Sequence, residues 1–244
     1  LLTVSWPALN LLYLLATSFQ NPILDITAFI SYVICHLAIP ISTSVYLYIV
    51  HPSGDLKRFS MNLGIQNILA VITHLSLPSS PPWFIHLYGI NAHADYGTLG
   101  YAAGLIRVDT QLGTHLSTDG FHKSPIVFGA CPSVHSATAI CCLLWIACHR
   151  QIADGFSGLK IVQITARVIV TTYVFVQWWA TMYLDHHWRI DLLVGMFYSV
   201  FTFLLIHLIS PSDEKSLSFG QRLFQNNRET PLASLFYQSS PSVL

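Results

Sequence analysis

The chain has 244 residues, of which 53% are apolar and 9% are charged, and its formal net charge is zero when histidine is neutral. Soluble domains usually carry about 25% charged residues, and the mean hydropathy here is +0.55. Such a chain has too few charges to cover a water-exposed surface, and it lacks the basic excess that binds nucleic acid. The composition therefore excludes a soluble nucleic-acid-binding protein and favours a membrane protein.

Six apolar segments are each long enough to cross a bilayer as a helix, which takes about 17–25 residues. In chain order they are residues 1–18, 28–50, 60–77, 126–149, 161–184 and 190–209. No basic region precedes the first segment, so we expect no cleavable signal peptide. We predict an all-α, polytopic membrane helix bundle with about six transmembrane helices. Residues 1–59 are expected to form its N-terminal helices, residues 60–210 its core, and residues 211–244 a cytosolic, mostly disordered tail.

The lysines and arginines outside these segments are unevenly shared between the two sides of the membrane. Seven lie on one side and three on the other. Cytosolic connections usually hold the excess of positive charge, so we expect both chain ends in the cytosol and the long connection at residues 78–125 on the opposite side. The larger group is Lys57, Arg58, Arg150, Lys160, Lys215, Arg222 and Arg228, and the smaller is Arg107, Lys123 and Arg189.

Two polar clusters stand at the starts of the fourth and sixth segments, on the same predicted side of the membrane. Ionisable side chains at membrane depth are costly and usually functional. In the later cluster, His187 and Asp191 are four residues apart, so a helix places them side by side. A carboxylate next to an imidazole fixes its tautomer, which leaves the other ring nitrogen free as a nucleophile toward phosphorus. A purely structural His–Asp pair at a helix start is the alternative.

The earlier cluster combines a helix start with a histidine. Pro132 suits the first turn of a helix, and the backbone amides that follow it are typical of an anion site. The candidate phosphate-binding residues there are Ser133, Val134 and Ser136. His135 is suited to act as general acid and base on the same phosphate. An ordinary capped helix start is the alternative.

Together the two clusters resemble motifs of the type 2 phosphatidic acid phosphatase superfamily. The similarity lies in Pro-Ser-x-His-Ser at residues 132–136 followed by His-x-x-x-Asp at residues 187–191. That family has a six-helix core and needs no metal. The resemblance implies that His187 is the nucleophile and carries a phospho-histidine intermediate, and that Asp191 orients it. It also implies that His135 protonates the leaving alkoxide and later activates the acceptor.

Two cationic features of the family's hydrolases are absent from this sequence. It has no Lys-x6-Arg-Pro motif, and Thr181 stands where those enzymes have an arginine six residues before the nucleophile. A phosphate monoester is nearly dianionic near neutral pH, whereas a diester carries a single charge. A site with fewer cations is therefore better suited to a diester. A decayed, inactive relative would show the same losses.

Longer stretches resemble the fungal inositol phosphorylceramide synthases, the aureobasidin A resistance proteins. The similarity covers roughly residues 60–209 and includes loop positions that hydropathy does not demand. The matching stretches include GIQNILAV at residues 64–71, PPWF at 81–84, GLIRVD at 104–109, KSPIVFGA at 123–130 and WWATMYL at 178–184.

This resemblance implies a phosphotransferase of sphingolipid metabolism in the Golgi membrane, with residues 60–210 as its catalytic core and its active site facing the lumen. It would move phosphoinositol from phosphatidylinositol to ceramide and release diacylglycerol, without a cofactor or a metal. Its partners are then lipid substrates, and a small regulatory membrane subunit is left unidentified. Residues 78–125 are expected to form a lid that keeps water from the phospho-enzyme. Arg107 and Lys123, the two cations of that connection, are candidates to meet the phosphate or the inositol.

Three rival interpretations remain open. A zinc site built from His135, His186, His187 and Asp191 is disfavoured, because adjacent histidines point to different helix faces. A lipid phosphate phosphatase of the same superfamily would release phosphate from a monoester. A non-enzymatic lipid-binding or transport protein would keep its function in a His187→Ala variant. Structural roles are expected for the histidines His36, His74, His186 and His207.

Overall fold

The structure is a computed structural model that describes residues 20–52, 54–95, 97–147 and 157–210, with the backbone alone at 157–160. Within those residues it consists of helices and loops with one isolated bridge between Ser79 and Gly129, which confirms the all-α prediction. The first predicted segment and the tail lie outside the described residues. The helices are α1 (Pro22–Phe29), α2 (His36–Val50), α3 (Asp55–Ser76), α4 (Pro82–Tyr88), α5 (Leu105–Leu112), α6 (Leu116–His122), α7 (Val134–Ala147), α8 (Ser157–Tyr183) and α9 (Arg189–Ile209).

Helices α1 and α2 form one continuous stretch interrupted by a π-helical turn at Ile30–Cys35. Asn21 starts it, because its side chain accepts a hydrogen bond from the Leu24 amide at 2.9 Å, a typical N-cap interaction. Pro40 lies inside α2, four residues after His36. A proline ring crowds the carbonyl four residues earlier, and the chain widens into the π-helical turn just before that point.

Among the residues that the structure describes, three stretches are long and apolar enough to cross a membrane: Pro22–Val50, Ile161–Tyr183 and Arg189–Ile209. Helix α7 is apolar but has only 14 residues. Many large apolar side chains on these helices are exposed in the structure, which is the pattern of a lipid-facing surface. The structure therefore shows a helical bundle with three candidate spans and does not establish the predicted count of about six. Examples of the exposed residues are Leu37, Ile41, Phe175, Phe197 and Leu208.

The fourth predicted segment was wrong at its start. Helix α7 begins at Val134 rather than at residue 126, and Pro132 precedes the helix instead of occupying its first turn. The preceding residues are held in an extended loop by Ser79, whose amide donates to the Phe128 carbonyl at 2.8 Å. The Ser79 hydroxyl accepts from the Cys131 amide at 2.6 Å. These backbone groups bond across to the end of α3, so they are not available for helical hydrogen bonds.

Helix α7 is the centre of the bundle and packs against α2, α3, α8 and α9. Trp145 is fully buried there, and its indole N–H donates to the Asn62 side chain at 3.0 Å. The Asn62 amide in turn donates to the Thr202 hydroxyl at 2.6 Å. Side-chain hydrogen bonds of this kind tie membrane helices together, so α3, α7 and α9 are locked in one arrangement.

The starts of α7 and α9 approach closely because position 195 is a glycine. A Cβ atom built on Gly195 would overlap the Ser133 carbonyl and lie 3.1 Å from the Ser136 Cβ. Any larger residue would therefore push the two helix starts apart. These are the helices that carry the two polar clusters of the sequence, so Gly195 sets the distance between them.

We expect the Gly195→Ala variant to be destabilised by roughly 1–3 kcal/mol, the cost of overpacking a filled site. The measurement is the thermal unfolding temperature of the purified protein in detergent micelles. Gly64→Ala is the matched control, because a Cβ atom added at Gly64 would meet no other atom within 4 Å. That control should be neutral or more stable by up to about 1 kcal/mol, since alanine favours a helix over glycine. Equal unfolding temperatures for the two variants would contradict the close approach.

Candidate active site

A cavity of about 230 Å³ lies where the starts of α7 and α9 meet the connection between α3 and α7. Four histidines line it, and none of the described lining residues is a lysine, arginine, aspartate or glutamate. Aromatic rings supply much of the remaining wall. The histidines are His74, His135, His186 and His187, and the aromatic residues are Tyr32, Trp83, Tyr101 and Phe121.

His187 lies at the end of the loop that leads into α9, and it is 7% exposed. Its Nδ1 atom is 3.0 Å from the Ala130 carbonyl oxygen. A carbonyl only accepts hydrogen bonds, so Nδ1 carries the proton and donates. The lone pair is then on Nε2, the ring nitrogen that a nucleophilic histidine needs.

The predicted His187–Asp191 pair is present but looser than a hydrogen bond, with 3.6 Å between His187 Nδ1 and Asp191 Oδ2. The same carboxylate oxygen accepts from the Trp188 amide at 2.7 Å and the carboxylate also interacts with the Cys131 thiol. Asp191 thus caps the first turn of α9 and places a negative charge beside the imidazole. The Ala130 carbonyl is the closer partner of the ring.

His135 lies in the first turn of α7, and its ring centroid is 5.7 Å from that of His187. The two predicted clusters therefore meet at one cavity. Val134 lines the cavity as well. The structure brings His135, His187 and Asp191 together, as the sequence predicts for the catalytic group.

Ser133 and Ser136 do not lie where the sequence placed them. Both are fully buried. The Ser133 amide donates to the Asp191 carbonyl at 2.9 Å, and its hydroxyl accepts from the Ser136 amide at 3.3 Å. The Ser136 hydroxyl donates to the Leu192 carbonyl at 2.7 Å. These groups fasten α7 to α9, and neither serine is among the residues that line the cavity. Their role as phosphate ligands stays a prediction.

Arg107, whose role as a ligand of the phosphate or the inositol stays a prediction, forms an ion pair away from the cavity lining. Its guanidinium pairs with Asp25 at 2.8 Å and lies over the Tyr183 ring. Tyr183 and Gln111 both donate to the same Asp25 carboxylate at 2.9 Å. Arg107 binds the buried Asp25 carboxylate on α1, and it therefore joins α1, α5 and α8. It is not among the residues that line the cavity. Lys123 is exposed at the end of α6, next to cavity-lining residues.

Three cavity residues went unrecognised in the sequence. His74 was expected only to be structural, yet its Nε2 atom is 2.9 Å from the Pro132 carbonyl and it lines the cavity. Tyr32 comes from the π-helical turn, and nothing in its apolar neighbourhood marks it. His186 is 5% exposed, and burial, together with the neighbouring His187, lowers the pKa of His186 to about 3. His186 is therefore neutral at physiological pH.

Asp185 forms a contact between the loop before α9 and helix α4. Its Oδ2 atom is 2.9 Å from His86 Nδ1, and its carbonyl accepts from the Trp83 amide at 3.2 Å. Burial raises the pKa of Asp185 from 3.8 to about 7 and lowers the pKa of His86. The carboxyl group therefore keeps its proton in the folded protein over a range where the unfolded chain has lost it.

We predict a pH-dependent stability difference between the wild type and Asp185→Asn. As the pH rises from about 4 to about 7, the unfolded carboxyl ionises while the folded one stays protonated, so the wild type loses stability. Asparagine does not titrate and tolerates the positive φ of 67° at this position. The variant should match the wild type near pH 4 and unfold at a higher temperature above pH 7. If the unfolding temperatures of the wild type and Asp185→Asn differ by the same amount near pH 4 and above pH 7, the prediction is wrong.

The described helices expose many apolar side chains, and the starts of α7 and α9 bring His135 and His187 to one cavity. The chain belongs to the PAP2 superfamily, whose family model matches residues 8–205. This confirms the resemblance seen in the two motifs.

Curated relatives are similar over most of the chain. "Inositolphosphotransferase 1" of Saccharomyces cerevisiae is 35% identical over 75% of this chain, and "Inositol phosphorylceramide synthase" of Candida albicans is 34% identical over 80%. "Phosphoinositol dihydroceramide synthase" of the bacterium Bacteroides thetaiotaomicron is 27% identical over 70%. The alignments cover 56%, 38% and 52% of these relatives, so the chain spans about half their length or less. No solved structure matches the chain.

Proposed function

We propose that this protein is an inositol phosphorylceramide synthase, which transfers phosphoinositol from phosphatidylinositol to ceramide and releases diacylglycerol. The observation that carries the proposal is the cavity, whose described lining holds four histidines and no charged side chain of another type. The names of the relatives support the phosphoinositol group and the sphingolipid acceptor. The proposal additionally specifies phosphatidylinositol as the donor and ceramide as the acceptor.

The first step of the proposed reaction transfers the phosphoinositol group to the protein. The Nε2 lone pair of His187 attacks phosphorus, and the bond between phosphorus and the diacylglycerol oxygen breaks. His135, protonated, gives its proton to that oxygen, so diacylglycerol leaves as a neutral alcohol. The Ala130 carbonyl holds the Nδ1 proton of His187, and Asp191 stabilises the positive charge that develops on the ring.

The second step returns the nucleophile to its starting state. The primary hydroxyl of ceramide gives its proton to His135, and its oxygen attacks phosphorus. The bond between phosphorus and His187 breaks, which restores neutral His187 and protonated His135. No net proton is consumed over the two steps, and no metal or cofactor takes part.

The described lining of the cavity holds no lysine or arginine, which favours a diester substrate over a monoester. Thr181, at the position of an arginine in hydrolases of the superfamily, is fully buried, and its carbonyl accepts hydrogen bonds from the amides of His186 and His187. Arg107 is bound to Asp25. A single negative charge can be held by the first-turn amides of α7, whereas a dianion would need a stronger counter-charge.

The connection between α3 and α7 supports a role as a lid that excludes water. It contains the short helices α4, α5 and α6, and its residues Trp83 and Phe84 are buried against Phe128. Water must be kept from the phospho-enzyme, because it would hydrolyse the intermediate before ceramide arrives. We infer from the distribution of lysine and arginine that this lid and the cavity lie on the non-cytosolic side of a six-span membrane protein. The resemblance to the fungal synthases implies that this side is the Golgi lumen.

The test is acceptor choice, measured in microsomes that contain the expressed chain. They receive phosphatidylinositol with a tritiated inositol ring, short-chain fluorescent ceramide and a metal chelator. A product that carries both the fluorescent ceramide and the tritium is the expected result. Phosphate released from phosphatidic acid without such a product would identify a lipid phosphate phosphatase. If neither of these products forms, the result favours a lipid-binding or transport protein.

A further inference from the structure

His135 lies against aromatic rings that come from the π-helical turn and the residue after it. The Tyr32 ring is stacked on the His135 ring, with 4.1 Å between centroids and an angle of 18° between planes. The His36 ring contacts it at 4.2 Å and 36°. The Tyr32 backbone is also a hydrogen-bond partner of the His135 ring. The His135 ring thus makes both aromatic contacts and a hydrogen bond with residues 32–36.

These contacts depend on the π-helical geometry. A π-helical turn holds one residue more than an α-helical turn, so it rotates the following face of the helix by about 100°. It also disturbs the regular hydrogen bonding of the backbone, which makes a carbonyl such as that of Tyr32 accessible to a side chain. Single π-helical turns inside α-helices occur frequently at functional sites. In this protein the π-helical turn provides the Tyr32 ring that stacks on His135.

His135 needs such support because it has no carboxylate partner among the ion pairs of the described residues. His187 is oriented by the Ala130 carbonyl and lies beside Asp191. A general acid must also point its proton at the leaving oxygen, and an imidazole that rotates freely does so only part of the time. A second observation concerns His36, whose Nδ1 atom is buried without a hydrogen-bond partner within the described part of the chain. Burying an imidazole nitrogen in this way is costly, which indicates that the ring is held there for its contact with His135.

We propose that Tyr32 and His36 are positioning residues for His135, which fix the plane of its ring so that one nitrogen faces the reacting phosphate. The nitrogen that bonds the Tyr32 carbonyl carries a permanent proton, and the other nitrogen gives and takes the catalytic proton. This inference rests on the proposed function, since it assigns His135 the role of general acid and base. Both residues act through the His135 ring, and the Tyr32 side chain also lines the cavity.

The test compares two donors that differ in their leaving group. Phosphatidylinositol leaves diacylglycerol, an alcohol that requires protonation, whereas p-nitrophenyl phosphoinositol leaves a stable phenolate that does not. Tyr32→Leu and His36→Leu should each slow transfer to ceramide from phosphatidylinositol by about 30-fold, a part of the roughly 100- to 10,000-fold that a general acid contributes. The same variants should keep the first step with the activated donor, measured as the burst of p-nitrophenolate released before ceramide is added, within about 3-fold of wild type.

The controls separate positioning from a general loss of structure. Tyr32→Phe and His36→Phe keep a flat ring against His135 and should recover most of the lost rate. Ile34→Ala removes an exposed side chain of the same π-helical turn and should behave as wild type with both donors. Equal slowing with both donors, or equal behaviour of the leucine and phenylalanine variants, would overturn the proposal.

A second measurement does not depend on activity. A stacked tyrosine shields the protons of the ring beneath it, so the His135 Hε1 resonance should lie upfield in histidine-labelled protein in micelles. Tyr32→Leu should move it downfield and Tyr32→Phe should not, with His135→Gln identifying the signal. A resonance that stays in place in Tyr32→Leu would overturn the stacking. If the wild type makes no inositol-containing ceramide from either donor, the proposed function fails, and with it the assigned role of His135.

Discussion

The His187→Ala variant is expected to lose transfer of phosphoinositol to ceramide by more than roughly 1,000-fold, since removal of a nucleophile leaves only binding effects. In the wild type, the Nδ1 atom of His187 donates to the Ala130 carbonyl, which leaves the Nε2 lone pair free to attack phosphorus. The direct measurement is the labelled intermediate. Protein incubated with phosphatidylinositol that carries ³²P, without ceramide, should become labelled in the wild type and not in the variant.

The control for this prediction is His122→Ala, which removes an exposed histidine at the end of α6. That variant should form the intermediate and the product as the wild type does. The label should be lost in acid and stable in base, as the phosphorus–nitrogen bond of phospho-histidine requires. Labelled protein in His187→Ala would place the nucleophile elsewhere. Unlabelled wild type that still makes product would replace the two-step route with direct transfer between the lipids.

The Arg107→Ala variant is expected to lose roughly 2–4 kcal/mol of stability, because it leaves the buried Asp25 carboxylate without its cation. Asp25 is 3% exposed, and the hydrogen bonds from Tyr183 and Gln111 remain, which limits the loss. The pair joins α1 to α5, so the variant should unfold at a lower temperature in micelles. The KM for phosphatidylinositol should stay close to wild type in the fraction that is folded.

Lys123→Ala is the matched control, since Lys123 is the other cation of the same connection and is exposed at the end of α6. Exposed charges contribute little to stability, so this variant should unfold as the wild type does. If Arg107 binds the phosphate, Arg107→Ala should instead leave the unfolding temperature unchanged and raise the KM for phosphatidylinositol. An Arg107→Ala variant with unchanged unfolding and a KM raised tenfold or more would restore that expectation.

The sequence predicts the residues at the centre of the site better than their surroundings. His187 lies in the loop just before α9 and Asp191 in the first turn of α9, so the predicted helical pairing was wrong in detail, yet the two side chains lie 3.6 Å apart. The sequence could not show that the Ser133 amide, at a helix start, donates to the Asp191 carbonyl in the folded chain. It could not show that Arg107 pairs with Asp25 either, because the two residues lie 82 positions apart.

The fold, like the site, was only partly predictable from the sequence. Apolar length and composition predicted a helical membrane protein, and the structure confirms helices with three candidate spans. The same apolar run suggested a helix from residue 126, but the residues before Val134 bond to Ser79 at the end of α3. Hydropathy reports how well a segment suits lipid, and it carries no information on which backbone groups find a partner elsewhere in the chain.

The sequence by itself determined that the protein is apolar and helical, which family it belongs to, and which histidines stand at the two helix starts. These properties depend on composition and on neighbours within one or two helical turns. Only the tertiary structure decided that the Ala130 carbonyl, 57 residues away, holds the His187 ring, and that the π-helical turn carries Tyr32 to His135. Such contacts arise when distant segments pack, because burial leaves each polar group to bond whatever partner the packing brings within reach.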